Sequence, residues 1–184
     1  IGSKVARMGV ALEMKVIGYD PALSVEAAWK LPSEVLPADS LEELFGESDY
    51  ITIHIPALET TKGIINKDLF KHCNGVSLLN FARHEVVNTD DVLEALDGNH
   101  LDSFITDFPT PELIKRANKE KDVTLLPHIG ASTLQAEENC AVMAVNQMVD
   151  FLENGNIKNS VNFPNVQSNR TTENRITITN KNVP

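Results

Sequence analysis

The sequence predicts an α/β fold, a doubly wound parallel sheet. Three observations predict it. Short apolar runs alternate with helical stretches across short connections, the pattern of a parallel sheet wound with helices. The strand runs are near-continuously apolar rather than alternating, as required when helices cover both faces. Several runs end in a proline or a charged residue just before the next helical stretch. That puts polar groups at the carboxyl edge of the sheet, where open α/β folds bind ligands.

Taken in order, Gly2 to Leu12 place Val5, Met8, Ala11 and Leu12 on one helical stripe. Lys15 to Pro21 read as a strand that Pro21 stops, followed by a short helix from Ser24 to Trp29. Leu31 to Pro37 read as loop, punctuated by Pro32 and Pro37. Ser40-Leu41-Glu42-Glu43 is a capping-box signature that opens a helix to about Gly46. Strands are predicted at Asp49–Ile55, Val76–Phe81, Leu101–Thr106 and Val123–Leu126. Helices are predicted at Asn66–His72 and from Asn88 or Thr89 to Leu96. Phe108 to Lys121 begin with prolines and turn highly charged, a surface loop with one helical turn. A long helix follows from Ala131 to Glu153, capped by Ser132 or Thr133, with Leu134, Ala141, Val145, Met148 and Leu152 on one face. Ser160–Pro164 read as a short extended piece, and Arg175–Thr179 alternate as a new strand.

With 184 residues, the chain holds one ordinary domain and part of another. Sixteen Lys and Arg against 26 Asp and Glu give a net charge of −10, which disfavours nucleic acid and anionic membrane surfaces as partners. No run approaches the ~20 apolar residues of a membrane span. Cys73 and Cys140 have no neighbours at metal-ligand spacing, so no metal is expected and both read as reduced thiols of a cytoplasmic protein.

The chemistry falls at the strand ends: Asp20 after the first, Arg83 after Phe81-Ala82, Asp107 after the fourth with Glu112 beyond it, and His128 after the fifth. One sheet edge would gather them into one cleft. Asp20 can accept hydrogen bonds from an adenosine ribose and would repel a 2′-phosphate, favouring NAD over NADP. Arg83 offers a planar fork for a carboxylate. His128 is the acid/base candidate, and Glu112 in reach of it would hold the imidazolium. The set fits hydride transfer between a nicotinamide and a hydroxy or keto acid. Each residue alone has a plainer reading: Asp20-Pro21 as a turn, Arg83 and Glu112 as solvated charges, His128 as a structural side chain.

These motifs, in order, resemble the D-2-hydroxyacid dehydrogenases. Ile1-Gly2-Ser3-Lys4-Val5-Ala6 resembles the tail of that family's glycine-rich turn. Val16–Pro21, Tyr50–Pro56, Asn80-Phe81-Ala82-Arg83, Asp107 and Pro127-His128-Ile129-Gly130-Ala131-Ser132-Thr133 resemble its later motifs. The resemblance, over roughly residues 1–164, implies a Rossmann-type NAD-binding domain lacking its first strand. It implies NAD as cofactor, a small-molecule 2-hydroxy acid as substrate, and a homo-oligomer. It implies Arg83 on the substrate carboxylate and His128 as acid/base paired with Glu112. It further implies Asp20 on the ribose, Ile1 and Gly2 at the pyrophosphate, and Phe81, Ala82, Asp107 and Gly130 along the nicotinamide side, beside Arg83 and His128. Two positions depart from the family pattern: His84 stands where glycine is usual after the arginine, and Leu113 where proline usually follows the glutamate. The expected division is an N-terminally truncated NAD-binding domain at 1–154, a return segment and linker at 155–174, and at 175–184 the first strand of a truncated ACT-like domain. The chain alone is expected to be inactive. A non-catalytic NAD-sensing module is the alternative of another class, and the co-occurrence of Arg83, Glu112 and His128 speaks against it.

Overall fold

A computed structural model of the chain describes residues 1–176 and 178, which divide after His128 into two compact units. The first unit carries six parallel strands. Ile17–Gly18 (β1) pairs with Leu36–Pro37 (β2), and Tyr50–Ile53 (β3), Val76–Asn80 (β4), Leu101–Thr106 (β5) and Val123–Leu125 (β6) form a four-stranded sheet in that order. In the four-stranded sheet, sequential strands lie side by side and all run one way, so their carboxyl ends share one edge.

Two expectations change here. The Leu31–Pro37 loop contains a strand, β2. Pro37 is tolerated because the ladder uses its neighbours: the Leu36 N–H donates to the Val16 carbonyl at 3.0 Å and the Ala38 N–H to the Gly18 carbonyl at 2.9 Å. The Lys15–Pro21 strand shrinks to two residues, because β2 is its one bonded neighbour and the Asp20-Pro21 turn ends it. The β1–β2 pair is not hydrogen-bonded to β3.

The helices of this unit begin where short polar side chains satisfy first-turn N–H groups. Gly2–Ala11 (α1) is the exception, with no side-chain cap from Ile1. Ser24 caps Val25–Ala28 (α2), Asn66 caps Lys67–Phe70 (α4) and Asn88 caps Thr89–Asp97 (α5). Ser40 caps Leu41–Glu47 (α3) by accepting from the Glu43 N–H at 3.1 Å; Glu43 reaches back to the Asp39 N–H, one residue short of the capping-box partner. The charged stretch expected to be loop holds a two-turn helix, Pro111–Ala117 (α6). Thr110 caps it, Pro111 occupies a first-turn position where no N–H is needed, and Leu113 is 1% exposed. Arg116 ties it down, bonding Asp122 through Nε at 3.1 Å and Nη2 at 2.6 Å, and Asp97 through Nη1 at 2.5 Å. The charge pattern that suggested solvent therefore encodes an anchor.

The core sits between the sheet and these helices. Val76, Leu78 and Asn80 of β4 alternate inward, with Phe45, Phe70, Val86, Val92, Leu101, Phe104 and Leu113 packed around the apolar members. Burying each such side chain contributes about 1.5–3 kcal/mol.

In the second unit, Leu134–Asn154 (α7) is capped by Thr133 and ends at Gly155, whose φ of 67° is the left-handed conformation glycine allows. The apolar face expected on this helix is present in sequence, and none of its residues is buried. Ser160–Pro164 is not a strand; an antiparallel bridge joins Ile157 to Val166 around it. The strand expected at Arg175–Thr179, and with it the start of an ACT-like domain, lies largely outside the described residues.

Candidate active site at the carboxyl edge of the sheet

Three of the expected residues follow three adjacent parallel strands: Arg83 after β4, Asp107 after β5, His128 after β6. Side chains inside the strand ends set their positions. Asn80, the last residue of β4, is 1% exposed. Its Oδ1 accepts from the Ala82 N–H at 3.1 Å and its Nδ2 donates to the Arg83 carbonyl at 2.9 Å, so one buried amide shapes the Phe81-Ala82-Arg83 turn. Thr106, also 1% exposed, donates to the Asn80 carbonyl at 2.8 Å and accepts from the Phe108 N–H at 3.2 Å, joining this turn to the next. Arg83 has extended backbone ahead of a 3₁₀ turn at His84–Val86, and its exposed guanidinium rests on the Ala82 carbonyl. His84 fits here without positive φ, so the glycine usual in the resembling family is not needed for this turn.

Asp107 is 8% exposed. Its Oδ2 lies 3.4 Å from His128 Nδ1, an ion-pair contact, while its Oδ1 is buried with no hydrogen-bond partner. A buried carboxylate oxygen without a donor is costly unless something supplies one. It is the acceptor a ligand amide would use. His128 itself is open to solvent, with Nδ1 toward Asp107 and Nε2 left for a reacting group.

The His128–Glu112 pairing that the resemblance implies is not made in this structure. Glu112 lies exposed in the first turn of α6, where its own backbone N–H and then the Thr110 hydroxyl hold its carboxyl below the usual glutamate range. Among the described residues, the carboxylate within 4 Å of the His128 ring is that of Asp107. The helix at 111–117, longer than the single turn expected, takes Glu112 for its N-terminus, where a negative charge is favoured.

The remaining expected residues are placed as follows. Ile1 and Gly2 form the uncapped start of α1. A Cβ at Gly2 would meet the His54 side chain at 3.4–3.6 Å, so the residue lies close-packed against the loop after β3. His54 was not foreseen. It is half-buried, Nε2 lies 3.0 Å from Thr52 Oγ1, and burial lowers it below the ordinary histidine range. Asp20 follows β1; its Oδ1 accepts from the Ala22 N–H at 3.0 Å, closing a turn. Phe81 is exposed and Ala82 half-buried. Gly130 belongs to the second unit, where a Cβ would meet nothing within 4 Å.

Residues 1–130 match the family model described as D-isomer specific 2-hydroxyacid dehydrogenase, NAD binding domain. The chain belongs to that family. It is 34% identical over 168 residues to the D-3-phosphoglycerate dehydrogenase of Rattus norvegicus, an alignment covering 88% of this chain and 30% of that protein. It is also 34% identical over 154 residues to the hydroxypyruvate reductase of Thermotoga maritima, covering 80% and 48%. The solved D-lactate dehydrogenase with NAD+ from Lactobacillus jensenii superposes with a TM-score of 0.70 at 27% identity, covering 84% of this chain and 50% of that one. The chain thus spans roughly a third to a half of the length of the curated relatives it matches.

Residues 1–130 are therefore an NAD-binding domain of the 2-hydroxyacid dehydrogenase family, with a parallel Rossmann-type sheet. The residues present fit that cofactor: α1 begins on a close-packed glycine with free N–H groups, the arrangement that receives a pyrophosphate, and Asp107 Oδ1 stands ready for a donor. Sequence reasoning missed Asn80 and Thr106 as the residues that shape the site. The signal was there: a polar residue closes each of the two strands, after Leu78-Leu79 in one and Phe104-Ile105 in the other.

Proposed function

We propose that the chain is part of a longer enzyme that oxidises D-3-phosphoglycerate to 3-phosphohydroxypyruvate with NAD, the first step of serine biosynthesis. The observation that carries the reaction type is the His128–Asp107 contact at 3.4 Å, beside the Arg83 turn on the same sheet edge. NAD, when bound, accepts a hydride from C2 of the hydroxy acid. His128 Nε2 takes the C2 hydroxyl proton, Asp107 faces the imidazolium that results, and the Arg83 guanidinium binds the substrate carboxylate. The C2–H pair leaves as hydride and the O–H proton goes to the imidazole, so carbinol becomes carbonyl. Asp20 would exchange its turn bond for the adenosine ribose hydroxyls. Phe81, Ala82 and Gly130 would line the nicotinamide side.

The substrate rests on the named relatives, among them the rat D-3-phosphoglycerate dehydrogenase. Hydroxypyruvate reduction is the second reading, on the strength of the Thermotoga relative. We place residues 1–154 in the NAD-binding domain, 155–174 in a return segment and linker, and 175–184 at the start of an ACT-like domain. The strand missing between β1 and β3 would be the first of the Rossmann sheet. We also read the enzyme as a cytoplasmic homo-oligomer, which rests on the family resemblance; no described helix is long and apolar enough to cross a membrane. The test is turnover of the full-length enzyme against a panel of 2-hydroxy acids and their keto forms. Preference for D-3-phosphoglycerate with NAD supports the reading, and preference for glycerate and hydroxypyruvate replaces it with the second.

A further inference from the structure

The ring of Phe108 touches two imidazoles. Its centroid lies 5.0 Å from that of His128 at an interplanar angle of 60°, and 6.2 Å from that of His84 at 45°, both within the tilted geometries that aromatic pairs favour. His128 has little else to hold it. Its side chain is 59% exposed, and the 3.4 Å to Asp107 is longer than a hydrogen bond. Phe108, by contrast, is anchored. Its N–H is held by Thr106, and its ring lines a small cavity with Val87, Phe104 and Leu113, three buried residues. His84, at the head of the 3₁₀ turn, is itself fixed by Glu85, whose Oε2 lies 3.0 Å from its Nδ1.

We propose that Phe108 is the positioning residue for the His128 imidazole: the tilted ring contact, backed by the buried Thr106–Asn80 bonds and flanked by His84, keeps Nδ1 toward Asp107 and Nε2 toward substrate. The inference rests on His128 being the acid/base. A side chain this exposed otherwise samples three staggered χ1 wells. Only one presents Nε2 productively, and proton transfer depends on heavy atoms within about 3 Å. Releasing the ring spreads the population over unproductive rotamers, with a loss of turnover on the order of 3–10-fold. Substrate affinity is left largely alone, since the turn that carries Arg83 is held by the Asn80 amide.

The experiment compares Phe108→Leu and Phe108→Tyr in the full-length enzyme, selectively labelled with 15N-histidine. Phe108→Leu should lower kcat by about 3–10-fold with KM changed less than about twofold. The His128 ring nitrogens should move toward the values of an averaged tautomer mixture. Phe108→Tyr, which keeps the ring, should restore both. A fall in kcat with the His128 nitrogens unmoved would overturn the proposal, as would failure of tyrosine to rescue, or no change in either readout. Full turnover by His128→Ala would instead remove the acid/base assignment, a result separate from an unmoved nitrogen spectrum.

Discussion

Replacing Asn80 with alanine should damage the fold and the site together, by an amount the structure sets. The side chain is 1% exposed and makes two bonds, to the Ala82 N–H at 3.1 Å and the Arg83 carbonyl at 2.9 Å. Its own carbonyl takes a third, from Thr106, which alanine retains. Leaving a buried partner unsatisfied costs about 1–3 kcal/mol. Ala82 is half-buried and Arg83 exposed, so water recovers part of the cost and the lower half of that range applies to each. The sum is about 2–4 kcal/mol, a large part of the ~5–15 kcal/mol that holds a domain together. Asn80→Asp is the sharper variant. It keeps the acceptor for Ala82 but turns a carboxylate oxygen toward the Arg83 carbonyl in a dry site, so it should lose at least as much as alanine. Urea unfolding at neutral pH reads both, with an unchanged denaturant slope. In the active enzyme the same variants should raise KM for the hydroxy acid more than they lower kcat, because the turn carries Arg83. An Asn80→Ala midpoint within about 0.5 kcal/mol of the parent, the range of an ordinary surface change, would refute the reasoning.

Three further outcomes follow from the same structure. Burial pushes the Cys73 thiol up to about 11, so at pH 8 a thiol reagent should modify exposed Cys140 quickly and Cys73 only on unfolding, which a timed thiol titration with and without urea would show. Since the folded thiol holds its proton to higher pH than the unfolded one, its contribution is complete below the unfolded pKa and lost as pH rises through about 11, so unfolding midpoints should fall across that alkaline window. Asp20→Ala should weaken NAD and narrow the preference over NADP; paired binding titrations would detect it, and unchanged affinity for both would confine Asp20 to its bond with the Ala22 N–H.

Much of this was legible in the chain. The strands at Val76–Asn80 and Leu101–Thr106 were readable from their apolar members, and Asn66, Asn88 and Thr133 are strong cap residues where the structure uses them. The common edge of Arg83, Asp107 and His128 followed from parallel order alone. What was not legible depends on distant partners. The strand at Leu36–Pro37 exists because Val16 and Gly18 offer carbonyls across 20 residues of chain, and a proline at its end hides it from local reading. The helix at 111–117 looked like solvated loop because the partners of Arg116, Asp97 and Asp122, lie on other elements. Glu112 was paired with His128 on the family resemblance, which does not distinguish a carboxylate that reaches an imidazole from one held at the first turn of its own helix.

The account turns on His128 moving the proton at an edge where NAD binds. The direct measurement is kcat and the NAD dissociation constant of His128→Ala in the full-length enzyme. The structure predicts turnover reduced by about 10²–10⁴-fold with NAD affinity within about twofold, because the imidazole is exposed and supports no part of the fold. Turnover within a few-fold of the parent, or NAD affinity lost in step with it, would contradict the account.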